Sequence, residues 1–168
     1  MRKDWRDAPN AVDVFSRYCA PTALASLMDC SRVEAAELLL AAPRVASDKR
    51  GCVKSSEWQR WLVTDLDAVK LKVERPDAVE RWKAALDAFE EREDAYYNGR
   101  TRRPPRLSYK NAAQYTVAQF LRLHPRGAIV LGVESHTLLA RDGRVVADTQ
   151  ASKSKRARVR YAYLVPGA

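Results

Sequence analysis

The sequence has no long apolar run, which argues against a helix that crosses a membrane. The uncharged stretch at residues 18–28 is well short of the about 20 apolar residues that span a bilayer. Basic side chains at residues 1–7 are not followed by an apolar segment, so we expect no secretory signal peptide. The default expectation is a cytoplasmic protein without membrane association.

Cysteine and histidine are also scarce. The chain has three cysteines, Cys19, Cys30 and Cys52, and two histidines, His124 and His136. There is no Cys-x-x-Cys pair and no zinc-ligand spacing, and an odd number of cysteines argues against a disulfide framework. We therefore expect no metal and no cofactor, and free thiols of which one is available for reactivity.

Basic residues outnumber acidic ones, giving a net charge of +9. Five lie within residues 100–110 and five within residues 153–160. Such clusters attract nucleic acid or an acidic protein surface, although a solvated basic face is the simpler alternative. No nucleic-acid-binding motif accompanies the charge, so nucleic acid is the less favoured partner.

The first two thirds of the chain have helical patterning. Apolar residues recur at intervals of three or four, and capping boxes begin at Ser31 and Thr116. After an irregular lead-in over residues 1–15, the pattern predicts helices at 19–29, with Ser16 as a cap, and at 32–41, 54–62, 77–97 and 116–123. Residues 69–73 alternate in polarity and predict a short strand. The apolar face of the second of these helices is expected to include Val33, Ala36 and Leu39.

The last third has the patterning of strands. We predict strands at 128–133, 136–141, 144–148 and 159–165, with Asp142-Gly143 as a type I′ hairpin turn. Helices followed by an antiparallel sheet indicate an α+β fold. The length fits one domain over residues 1–168, with a helix and basic loop at about 76–110 as an elaboration.

Three residues form a candidate catalytic set. Cys19 is predicted at a helix N-terminus, where the helix dipole lowers the pKa of a thiol. His136 begins one strand of the hairpin and Asp148 ends the other, so the carboxylate is expected to accept the Nδ1 proton of the imidazole. Taken singly, each has a structural explanation: a core cysteine, a satisfied polar histidine and a strand-end aspartate.

Two stretches resemble motifs of papain-like cysteine peptidases. Residues 18–24, Tyr-Cys-Ala-Pro-Thr-Ala-Leu, are similar to the nucleophile motif of the branch that processes bacteriocin leader peptides, where Cys-Gly-Pro-Thr-Ala-Leu opens the helix. Residues 135–148 resemble the second motif, in which a histidine opens one strand and an Asp or Asn closes the next. The layout also resembles small papain-like proteins encoded by bacteriophages. The resemblance does not extend to the middle third of the chain.

The resemblance implies a papain-like fold and a cysteine peptidase or isopeptidase, or a related amidase or acyltransferase. Cys19 would be the nucleophile, His136 the general base and later acid, and Asp148 the orienting group, with a thioester intermediate. The family places a Gln several residues before the nucleophile as an oxyanion donor, and no Gln precedes Cys19. Asn10 and Ser16 are the side-chain candidates for this role, beside the Cys19 backbone N–H.

Two functional classes remain open. The first is a hydrolase whose substrate is a protein or peptide, acidic if the basic clusters take part, and located in the host cytoplasm if the protein is phage-encoded. The second is a catalytically silent papain-like fold that binds nucleic acid or an acidic host protein. The missing Gln and the +9 charge favour the second class, whereas the presence of Cys, His and Asp together favours the first.

Overall fold

The structure is a computed structural model and describes residues 8–42, 44–45, 53–149 and 156–168. Within these residues the helices precede most of the strands, which confirms the α+β class. The helices are α1 (Ala11–Phe15), α2 (Cys19–Met28), α3 (Arg32–Ala41), α4 (Ser55–Asp65), α5 (Ala78–Tyr97), α6 (Tyr109–Ala113) and α7 (Val117–Leu123). The strands are β1 (Val69–Lys70), β2 (Ala128–Val133), β3 (His136–Arg141), β4 (Arg144–Ala147) and β5 (Tyr161–Val165).

Both predicted capping boxes are confirmed. At the start of α3 the Ser31 hydroxyl accepts from the Glu34 N–H at 3.1 Å, and the Glu34 carboxylate accepts from the Ser31 N–H at 2.8 Å. Thr116 and Gln119 make the same reciprocal pair at the start of α7. Each box satisfies N–H groups that have no acceptor within the helix, which is why these two starts could be predicted from local sequence.

The lead-in predicted as irregular contains a helix, α1. Ala11 and Phe15 lie one turn apart and are both buried, so packing against the core stabilises a segment too short to be helical by itself. Ser16 is not the cap of α2, because it ends α1 and donates its hydroxyl to the Asp13 carbonyl at 2.8 Å.

Other boundaries differ from the sequence prediction. The strand predicted at 69–73 is two residues long, because Val69 and Lys70 alone pair with β5 before the chain leaves the sheet. Helix α6 was not predicted, since its five residues show no apolar periodicity. On α3, Val33 is 43% exposed, and the buried face is formed by Ala35, Ala36 and Leu39.

The five described strands form one sheet in the order β1-β5-β2-β3-β4, with every neighbouring pair antiparallel. Val130 and Leu139 on one face pack with the buried residues of α2, α3 and α4. Leu131 and Leu138 on the other face pack with α7. The sheet is therefore covered on both faces. None of the described helices combines the length and apolarity needed to cross a membrane.

A β-bulge interrupts the pairing of β3 with β4. Next to the Asp142-Gly143 turn, Ala140 pairs with Val145, but Leu139 then pairs with Ala147. One extra residue in β4 shifts every later residue of that chain segment by one position. Because the side chains of a strand alternate between faces, this shift moves the residues from Ala147 onward to the opposite face.

Gly132 in β2 provides room for an aromatic ring on the face of the sheet that packs against α2, α3 and α4. It pairs with Tyr161 of β5 on one side and with Thr137 of β3 on the other. A Cβ atom at Gly132 would overlap the Tyr161 ring, which lies across the glycine. Glycine is thus required at this position by packing rather than by an unusual backbone angle.

We predict that Gly132→Ala lowers the free energy of unfolding by about 1–3 kcal/mol, because the ring must move within a packed core. In a Tyr161→Val background, which lacks the ring, the same substitution is expected to cost far less. Urea denaturation of the four proteins gives this coupling. An equal cost in both backgrounds would contradict the overlap.

Candidate active site

Cys19 is the first residue of α2. The preceding residue, Tyr18, is extended (φ −93°, ψ 170°) and makes no side-chain cap hydrogen bond. The Thr22 hydroxyl and N–H both donate to the Tyr18 carbonyl, at 2.8 and 3.1 Å, and hold the first turn together. The half-buried Cys19 thiol is therefore located at the positive end of a ten-residue helix.

His136 and Asp148 form a buried pair. The distance from His136 Nε2 to Asp148 Oδ1 is 2.7 Å, and the two side chains are 4% and 5% exposed. Regular pairing from the hairpin turn would set Asp148 opposite Thr137, on the face away from His136. The bulge in β4 shifts Asp148 onto the side of His136, and without it these two side chains would point apart.

The ring nitrogen in this pair differs from the prediction. The carboxylate contacts Nε2, not Nδ1. The spacing of the two residues in the hairpin indicates that they are close but does not determine how the imidazole is rotated about χ2, which is set by packing. Nδ1 is consequently the nitrogen left for a reaction partner.

Cys19 and His136 line one cleft of about 250 Å³. It lies where the start of α2 meets the ends of β2, β3 and β5. Its lining residues are Cys19, Val53, Ser55, Val133, Ser135, His136, Thr137 and Tyr161. The structure thus brings the predicted thiol and imidazole to a shared surface, and Asp148 pairs with the imidazole without lining the cleft.

The two side chains predicted as oxyanion donors do not line this cleft. Asn10 is exposed and precedes α1. Ser16 is buried, and its single hydroxyl proton is used by the Asp13 carbonyl.

The other cysteines are placed differently from Cys19. Cys30 is half-buried, and burial, followed by the Glu34 and Asp29 carboxylates, raises the pKa of its thiol. A raised pKa is the opposite of what a nucleophile requires. Cys52 lies outside the described residues.

Two hydroxyl groups in the cleft were not identified from the sequence. Tyr161 Oη and Thr137 Oγ1 are 3.2 Å apart, and both residues are buried. Desolvation raises the pKa of Tyr161 to about 12, and the nearby Cys19 contributes in the same direction. The Thr137 hydroxyl and the Trp58 indole N–H oppose this increase, although Trp58 Nε1 does not reach hydrogen-bond geometry. The alternation of Tyr161 and Tyr163 was a sequence signal for a strand but not for a site.

A separate group of charged side chains surrounds α6. Arg81, Arg158 and Arg160 donate to oxygens of residues 111–114. Arg75 lies with them. Burial, followed by the guanidinium groups of Arg81, Arg75 and Arg160, lowers the pKa of Arg158. Among the described residues, the Asp77 carboxylate pairs directly with one of these four cations, Arg75, at 3.0 Å. We refer to Arg75, Arg81, Arg158 and Arg160 as the arginine cluster.

No group of three or more His, Cys, Asp or Glu side chains suited to a metal ion occurs among the described residues.

The buried phenol of Tyr161 predicts a loss of stability in alkaline solution. Its pKa is about 12 in the folded protein and about 10 in the unfolded chain, so between these values the unfolded chain alone releases the proton. The free energy of unfolding is expected to fall by about 2–3 kcal/mol from pH 10 to 12 through this group. Denaturant titrations should show a smaller fall in Tyr161→Phe than in the wild type. An identical pH dependence in both would contradict the burial of this phenol.

Comparison of the chain with protein-family models, with curated proteins and with solved structures finds no match.

Proposed function

We propose that the protein is a papain-like cysteine hydrolase that cleaves an amide bond in a protein or peptide. Cys19 is the nucleophile, His136 the general base and then acid, and Asp148 the orienting carboxylate. The observation that carries the proposal is the buried His136–Asp148 pair at 2.7 Å beside a cleft that also contains a thiol at a helix N-terminus.

The placement of each group supports a specific step. Nε2 of His136 donates to Asp148, so Nδ1 exchanges the proton with Cys19 Sγ. The thiolate attacks the carbonyl carbon, and the C=O electron pair moves to oxygen. When the C–N bond breaks, the imidazolium protonates the leaving amine, and a thioester remains. Water then attacks the thioester with His136 as base, which releases the acid and regenerates the thiol.

The charge of the chain supports an acidic substrate, since a net charge of +9 favours encounter with carboxylate-rich peptides. A peptidase and an isopeptidase would use the same groups of the cleft. An amidase or acyltransferase would use the same three residues and the same thioester.

The proposal predicts that Cys19 is alkylated by iodoacetamide well below pH 8. At pH 6.5 we expect its rate to exceed that of Cys30 by at least about tenfold, because a reference thiol is about 1% ionised there. His136→Ala should remove this advantage and Asp148→Asn should reduce it. Mass spectrometry resolved by residue measures each rate.

His124→Ala is the matched control, since it removes the other histidine and should leave the alkylation profile unchanged. If Cys19 reacts no faster than Cys30, or if His136→Ala has no effect, the thiol–imidazole pair does not exist and the hydrolase proposal fails.

The arginine cluster favours a second candidate function, the binding of nucleic acid. A guanidinium group can donate two parallel hydrogen bonds to one phosphate. The cluster places four guanidinium groups around α6, which is only five residues long and has a small dipole. Arg81 is exposed and the other three are half-buried, so the cluster is accessible at its edge. This function does not involve Cys19.

Binding of a fluorescent DNA oligonucleotide, followed by anisotropy at increasing salt, tests this candidate. Arg81→Gln with Arg160→Gln should weaken binding and reduce the salt slope by about 2, because each substitution removes one phosphate-binding cation. Cys19→Ala should leave binding unchanged. The charge-matched control is Arg122→Gln with Arg144→Gln, two exposed arginines outside the cluster. Equal effects of both double variants would show non-specific attraction and reject the cluster as a site.

A further inference from the structure

The proposed hydrolase lacks one part of its expected machinery. Attack on a carbonyl generates an oxyanion, and its stabilisation by preorganised donors is usually the largest single contribution to catalysis. The chain has no Gln before Cys19, and neither Asn10 nor Ser16 lines the cleft. The Cys19 backbone N–H therefore needs a second donor from another element.

The side-chain hydroxyls that line the cleft differ in how firmly they are held. Ser55 and Ser135 are exposed, and Ser55 already accepts a hydrogen bond from Gln59 at 3.0 Å. Thr137 and Tyr161 are buried on the two strands that flank β2, and their hydroxyl oxygens are 3.2 Å apart. Thr137 and Tyr161 are therefore the better source of a donor that stays in place during the reaction.

The pairing of three neighbouring strands explains how the Tyr161 and Thr137 hydroxyls come into contact. Tyr161, Gly132 and Thr137 are neighbours across β5, β2 and β3. The missing Cβ at Gly132 lets the Tyr161 ring lie flat across the row, so that its hydroxyl reaches Thr137. Both residues line the cleft. Trp58, which is fully buried, packs behind with its indole N–H beside the phenol.

The contact between the two hydroxyls allows Tyr161 to act as the donor toward the cleft. Either hydroxyl can donate to the other, and when Thr137 donates to the phenol oxygen, the phenol proton is left for a different acceptor. That phenol stays protonated throughout the neutral range, since burial raises its pKa to about 12. A neutral donor close to Cys19 suits a negative charge that forms during the reaction.

We propose that Tyr161 Oη is the side-chain oxyanion donor of this hydrolase, acting with the Cys19 backbone N–H in place of the absent Gln. The inference depends on the proposed function of the cleft. When Cys19 Sγ adds to the carbonyl carbon, the π electron pair moves onto oxygen and the phenol O–H donates a hydrogen bond to it. The phenol keeps its proton, and the hydrogen bond weakens when the C=O bond re-forms.

Tyr161→Phe tests this role because it removes one oxygen and keeps the ring over Gly132. The acyl probe is p-nitrophenyl acetate, whose attack by Cys19 passes through an oxyanion. We expect kcat for p-nitrophenolate release to fall by about 100-fold with little change in KM. Alkylation of Cys19 by iodoacetamide forms no oxyanion, so its rate should be unchanged.

Tyr163→Phe is the matched control. Tyr163 lies two residues along the same strand, and its hydroxyl donates to Gln59 at 3.1 Å outside the cleft. It should retain wild-type rates with both reagents. Circular dichroism and thermal unfolding of both variants show that each remains folded.

The outcomes separate the two proposals. Wild-type kcat in Tyr161→Phe overturns the oxyanion role while leaving the hydrolase intact. A parallel fall in alkylation and acyl transfer also overturns it, because Tyr161 would then act on the thiolate. If wild-type Cys19 is alkylated normally but forms no acyl enzyme, as seen by mass spectrometry, the hydrolase proposal itself fails and the inference with it.

Discussion

The alignment of α2 along β3 is the constraint on which the cleft depends. Arg141, the last residue of β3, donates to the Ser26 and Leu27 carbonyls near the end of α2, at 3.1 and 3.0 Å. These bonds satisfy carbonyls near the helix end that receive no hydrogen bond from a backbone N–H of the helix. From Cys19 to Leu27 the helix rises about 12 Å, and β3 extends about 17 Å from His136 to Arg141. Because these bonds hold the C-terminal ends of α2 and β3 together, their N-terminal residues, Cys19 and His136, lie at the same cleft.

A second constraint comes from the sheet itself. The bulge in β4 places Asp148 on the side of His136, and Gly132 lets Tyr161 lie over the row that ends at Thr137. The bulge is an irregularity of the pairing, whereas Gly132 is a missing side chain in a regularly paired strand, and both act at the end where α2 begins. The regular pairing provides a rigid frame, and these two features orient the polar groups on it.

Two residues of the arginine cluster and one residue of the cleft lie next to one another on a single segment. Arg158 and Arg160 come directly before β5, which begins with Tyr161, and the Arg160 N–H donates to the Gly132 carbonyl at 2.7 Å. A polyanion bound at the arginine cluster would therefore be close to the strand that supplies the cleft hydroxyl. The two proposed functions are chemically independent, although both involve residues of this segment.

Local signals in the sequence determined the elements: the capping boxes at Ser31 and Thr116, the Asp-Gly turn, and the placement of Cys19 at a helix start and His136 at a strand start. These depend on neighbours within a few residues, so the sequence alone predicted them. Helix α1, the rotation of the His136 ring, the bulge and the Tyr161–Thr137 contact arose from packing between distant segments. Tertiary structure decided them, because a strand's face and a ring's orientation depend on partners that spacing does not specify.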